Sequence, residues 1–286
     1  MDRRLILALA LAVAIGQGCS GKSALVYPTW ATVPSDTPQS DSAFAAYCRA
    51  ADLAEKIPAD LRERVTFSQD KRAQLLERLK PALSELQRGL NAGNLDFKFK
   101  PCDPGSVPAH HIGWRLLGRA LVFKAEGALE AEKYDLAIQY AASATQLGFD
   151  LTNGGAIDAS LGLSIANDAR STIAKALPAM SSAQLGRISE RFERLLRRKP
   201  SLIITLANEK VEMLSNVQLL QDACLQGGIE KLTQRLNMPA RQFSVLSNLQ
   251  TASDPDKLSF FQGLAAEVEG KSLYWQNLAG LPTRLR

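Results

Sequence analysis

The chain has 286 residues, 46% of them apolar and 22% charged, a globular composition that excludes a disordered, collagen-like or polytopic membrane protein. Its net charge of +5 is too small an excess to argue for nucleic acid as a partner. Aromatic residues make up only 6% while Ala and Leu dominate, so composition favours helix over sheet.

Arg3 and Arg4 precede Leu5–Ile15, eleven uninterrupted apolar residues, and then Gly16-Gln17-Gly18-Cys19. A basic start, a short apolar run and small residues before a cleavage point describe an export signal over residues 1–18, and the run is too short to span a bilayer. Residues 19–41 are rich in Pro, Ser and Thr, and Pro28, Pro34 and Pro38 block a continuous helix, so this stretch is expected to be a tether. Cys19 after Gly18 resembles the processing site of bacterial lipoproteins, although Gly16 and Gln17 stand where that family prefers Leu and a small residue. The resemblance implies that Cys19 becomes the lipidated first residue. It also implies an exported protein, held to a membrane through that lipid and facing the periplasm or the cell exterior.

Gly16 to Ser23 also spells G-x-x-x-x-G-K-[ST]. A phosphate-binding loop needs a helix directly after its Lys and a parallel sheet around it. Here Pro28 follows within a few residues, and no strand and helix alternation comes later. Neither a nucleotide nor any other cofactor is expected.

From Asp41 onward the pattern is helical. Asp41 or Ser42 can cap a helix running through Phe44 and Tyr47 to Ile57, where Pro58 stops it. The next begins near Ser68 and carries Leu75, Leu79, Leu83, Leu86 and Leu90, with Pro81 expected to kink this ladder without dephasing it. Leu95, Phe97 and Phe99 then alternate with charged residues, an extended segment expected to lie over the helices, before the Pro-rich stretch to His111.

Between Gly113 and Gly148 two helices are expected, joined near Lys133. The first is apolar on two stripes, Trp114-Leu117-Leu121 and Leu116-Ala120-Phe123, and so packs on two sides. Ala125, Tyr134, Ala137 and Ala144 resemble the packing positions of one tetratricopeptide unit, without the Pro usual at its end, where Phe149 stands. The resemblance implies close helix approach through small residues and no ligand. A helix over Ile157–Leu177 follows, then one capped by Ser181 or Ser182 through Leu185, Ile188, Phe192 and Leu195. A long one from Ser201 ends at Gly227-Gly228, and the last is capped by Asp254 before Pro255. The expected architecture is all-α: an irregular stack of antiparallel, tetratricopeptide-like helical hairpins, about eight helices in one domain over 42–286. The order of tether, paired helices and basic amphipathic helix resembles a diffuse group of exported helical bacterial proteins, a likeness that implies no activity.

His110 and His111 are the only histidines. Adjacent side chains usually diverge, so His110 reads as a cap or packing residue at the entry of the next helix more readily than as a metal ligand; the pair is kept as a candidate binding position, and no metal site is expected. Cys48 and Cys224 fall on apolar helix faces, whereas Cys102 is on a loop and is the best candidate for a disulfide. Arg187, Arg191, Arg194 and Arg198 form one helical stripe that could hold an anionic lipid or polymer, but interleaved Glu190 and Glu193 can pair with Arg194 and Arg197. Glu209 sits in an apolar helix, either buried or exposed beside Lys210 and Glu212. No motif selects a reaction and no catalytic residue is named. Three functions stay open: an envelope scaffold for another protein, a binder using loop 95–111 or the Arg stripe, and a hydrolase with an unrecognised site.

Overall fold

A computed structural model of the protein describes residues 42–62, 67–98, 109–236 and 252–280. Among them every regular element is helical, with ten α-helices: α1 Ala43–Glu55, α2 Ala59–Arg62, α3 Gln69–Arg78, α4 Lys80–Asn91, α5 His111–Glu130, α6 Tyr134–Leu151, α7 Ala156–Ala174, α8 Ser182–Arg198, α9 Leu202–Leu236 and α10 Asp254–Gly280. The all-α expectation therefore holds. The two helices beyond the expected eight are the short α2 and the division between α3 and α4.

Helix starts follow local chemistry. Ser42, Ser68 and Ser181 each accept a hydrogen bond from the backbone N–H three residues on, and Gln184 returns the favour to Ser181. At α10 the cap is Ser253, whose Oγ accepts from Asp256 N, so Asp254 is the first helical residue rather than the cap. Pro81 occupies the first turn of α4, where its missing N–H costs least. Leu79 stays helical, with Leu79 N donating to Leu75 O and Leu83 N to Leu79 O, so the Leu ladder passes the break in register. Leu75, Leu79 and Leu86 are fully buried. Gly227-Gly228 does not end α9, which continues to Leu236. Glycine lowers helix stability but stops a helix only where the chain turns left-handed after it.

The chain divides into two compact units. One comprises residues 35–99 and 108–205 and holds α1–α8. Here α1 packs between α4 and α5, α5 against α6, and α6 most extensively against α7, with α8 laid on α6. The extended segment at 94–97 closes the start of α1: Asn94 and Leu95 carbonyls accept from Ala43 N and Phe44 N, and Phe97 lies on Phe44 at 4.2 Å between ring centroids. The α5–α6 turn is Ala131–Lys133, where expected, and Ala125, Ala137 and Ala144 are fully buried. In the other unit, Lys210 of α9 reaches Glu269 of α10 at 3.9 Å, and Cys224 lies near Asp254 and Lys257, so the two helices run in opposite directions.

Candidate functional site

The two histidines diverge. His110 Nδ1 lies 3.0 Å from Asp52 Oδ1 on α1, and His111 Nε2 lies 2.5 Å from Asp158 Oδ1 on α7. Both rings pack on Trp114, with centroids at 5.6 and 5.9 Å, and the Trp114 indole N–H donates to the Tyr47 carbonyl. The second Asp158 oxygen accepts from Gly155 N and so caps α7, while Glu55 Oε1 accepts from Gly113 N in the first turn of α5. Each imidazole is thus committed to its own carboxylate on a different helix, and the pair ties the start of α5 to α1 and α7. Among the described residues no three His, Cys, Asp or Glu side chains converge to hold a metal ion.

The Arg stripe on α8 divides by role. Arg187 sends both Nε and Nη2 to Asp135 Oδ1, at 2.9 and 2.8 Å, joining α8 to α6. Arg194 pairs with Glu190 and Arg197 with Glu193, each at 3.6 Å along the exposed helix face. Arg198 acts inward, its charge favouring ionisation of Asp150. Arg191 faces outward and is exposed.

The half-buried Asp150 pairs with a buried tyrosine, a contact that the sequence does not single out. The fully buried Tyr47 donates from its hydroxyl to Asp150 Oδ2 at 2.6 Å, tying α1 to α6. Burial raises the Asp150 carboxyl from its ordinary 3.8 to about 6, against the opposing pull of the Tyr47 hydrogen bond and Arg198. Burial, then the charge of Asp150, holds the Tyr47 hydroxyl well above its ordinary value. Nearby Gln146 donates to the Leu90 carbonyl at 3.0 Å, adding α4 to the same knot.

A cleft of about 370 Å³ opens between α5 and α7, at the lower end of the size range for small-molecule sites. Arg115, Arg119 and Lys175 supply positive charge to its lining, Asp168 and Glu126 negative charge, and Ser164 a hydroxyl. Its apolar lining includes Val122, Phe123, Leu161 and Ile165. Burial, then the charge of Arg115, lowers the pKa of Arg119, and Asp168 opposes this. Glu126 is already engaged by Arg72 at 2.8 Å. Sequence reading missed this cleft. The available signal was a basic pair one turn apart, Arg115 and Arg119, on a helix that is otherwise apolar on two stripes.

Cys48 is half-buried and Cys224 buried, and both are free thiols. Burial, reinforced by Asp52, pushes the Cys48 thiol up to about 12. Glu209 is half-buried, whereas its neighbour Glu212 is buried. Cys19 and the tether, Cys102 and loop residues 99–108 lie outside the described residues. No described helix is long and apolar enough to cross a membrane. No family model matches the chain, and no curated protein or solved structure matches it.

Proposed function

We propose that the protein is an exported helical interaction module, anchored at the cell envelope through Cys19 and offering the α8 end of its helical stack to another envelope protein. The observation that carries this reading is the concentration of exposed large apolar side chains. Of the eight among the described residues, five lie between 185 and 204: Leu185, Leu196, Leu202, Ile203 and Ile204. Leu196 is 60% and Leu202 49% exposed, while Ile188 and Phe192 on the same helix turn toward the core. Neighbouring exposed apolar residues, bordered by Arg191 and Arg194, fit a protein contact with a polar rim.

The small-residue helix pair α5–α6, with its tetratricopeptide-like spacing, serves in this reading as the rigid support behind α8. The Tyr47–Asp150 knot and the His–Asp pairs do the same. The test is capture of partners by the full chain from its own envelope fraction, in parallel with Leu196→Asp/Ile203→Asp. These positions are exposed, so the double variant keeps its helical circular dichroism and thermal midpoint. A partner retained by the native chain and lost by the variant supports the proposal. If nothing is lost, the surface is not the contact. Association with anionic vesicles that disappears on Arg191→Glu/Arg194→Glu would instead assign this face to lipid.

A further inference from the structure

We infer that the cleft between α5 and α7 is a binding site for a small organic anion, a phosphate or carboxylate head on a short apolar body. This site lies on a different part of the helical stack from the α8 surface and stands independently of it.

Both walls are continuous helix faces. On α5 they comprise 115, 118, 119, 122, 123 and 126, and on α7 they comprise 161, 164, 165, 168, 171 and 172, with Lys175 capping its C-terminal end. These are the spacings that bury a seam between two helices when large apolar residues fill it. Here the floor is tight and the rim is not. A Cβ on Gly118 would run into the Ile165 side chain, so the two helices touch at that level. The rest of the lining mixes long cations and short hydroxyls with the apolar Val122, Phe123 and Leu161, and an open volume is left between the helices.

The charges favour an anion. Glu126 is balanced by Arg72, whose guanidinium also lies 4.6 Å from the Phe123 ring centroid. Apart from Glu126, the only acid in the described lining is Asp168, facing the exposed cations Arg115 and Lys175. Among the described residues neither Arg115 nor Lys175 makes an ion pair. The Arg119 guanidinium carbon lies 5.4 Å from the Phe67 ring centroid, a cation–π contact that holds this charge beside the cleft. Arg115 and Arg119 repel one another across one helical turn. An oxyanion beside Arg115 relieves that repulsion and accepts charge-assisted hydrogen bonds from its guanidinium. Ser164 adds a hydroxyl on the facing wall, while Val122, Phe123 and Leu161 offer apolar surface to the rest of the molecule. An inorganic ion would use the cations and leave that apolar wall wet.

The test is titration calorimetry of the full chain with phenyl phosphate, phenylacetate and inorganic phosphate, repeated on Arg115→Glu, Lys175→Glu and Arg78→Glu. Arg115 and Lys175 are exposed, so their replacement leaves the fold intact, and the exposed Arg78 on α3, outside the cleft lining, controls for charge alone. Saturable binding of an aryl anion is expected, weakened roughly tenfold or more by Arg115→Glu and unchanged by Arg78→Glu. The tighter of the two aryl anions identifies the head group. The inference is overturned if neither aryl anion binds at millimolar concentration, or if Arg115→Glu and Lys175→Glu bind as the native chain does. It is also overturned if inorganic phosphate binds as tightly as phenyl phosphate, since the apolar wall then contributes nothing.

Discussion

Glu132 stands where helix-ending chemistry asks for glycine. Its φ of 57° is left-handed, Glu132 N donates to Leu129 O, and Lys133 N donates to Ala128 O at 2.8 Å, the paired closing bonds of a left-handed helix end. A side chain with a Cβ pays roughly 1–2 kcal/mol for this conformation, while glycine adds entropy to the unfolded chain. The first effect is the larger, so Glu132→Gly should raise stability by about 0.5–1 kcal/mol in urea denaturation, and a loss would show that Glu132 makes a contact that outweighs its strain. Asp150 supplies a pH-dependent counterpart. Its carboxyl titrates at about 6 in the folded chain and near 3.8 when exposed, so between these values the folded state binds more protons. Stability from this group therefore falls as pH rises through that window, by on the order of 3 kcal/mol, and recovers in acid. Asp150→Asn keeps an acceptor for the Tyr47 hydroxyl and removes the charge. Denaturation midpoints compared at pH 4 and pH 7 should show the native chain losing more stability at pH 7 than the variant does. Equal pH dependence would mean that Asp150 is well solvated.

At the level of elements, the sequence was most legible where one residue suffices to set a boundary. Ser42, Ser68 and Ser181 each cap a helix at or within one residue of the expected place, because the hydroxyl and its amide partner are three positions apart on the same chain. Gly227-Gly228 was misleading for the complementary reason: whether glycine ends a helix depends on what the next turn packs against, which is not written locally. The α6–α7 crossing was hidden in the same way. Gly148 and Gly162 face one another, and a Cβ on either would meet the backbone carbonyl of the other. Alanine at an open helical position is favoured over glycine by about 1 kcal/mol, but a backbone carbonyl cannot move aside as a flexible side chain can. Gly148→Ala should therefore cost about 1–3 kcal/mol, whereas Gly127→Ala, with open space around it, should gain up to about 1 kcal/mol. Chemical denaturation of the two variants side by side separates close helix approach from simple propensity; equal effects would refute the reading of the crossing. The α5–α7 cleft is illegible for a related reason. Arg115 and Arg119 look like ordinary solvated cations until a helix some forty residues later brings Ser164 and Asp168 opposite them.

For the molecule as a whole, the helical class was readable because Leu, Ala and capping signals repeat along nearly all of its length, while the division into two compact units was not. One boundary between the units falls inside α9, between Thr205 and Leu206, without a break in helical pattern, and a boundary within a continuous helix leaves no composition shift to detect. The proposed anchor makes its own demand at this scale. A single acyl chain binds membranes weakly, whereas a Cys carrying several holds a protein stably, and the Pro-rich stretch before Ser42 then sets how far the helical body stands from the surface. Cys19→Ser, which leaves the apolar run and the rest of the chain unchanged, should move the protein from the membrane pellet to the soluble fraction after export. Its intact mass should lack the acyl increment that the proposed anchor adds to the native mature chain. Recovery of Cys19→Ser in the pellet at an intact mass that lacks residues 1–18 would place the membrane contact in another part of the chain and leave the α8 surface as the first region to test.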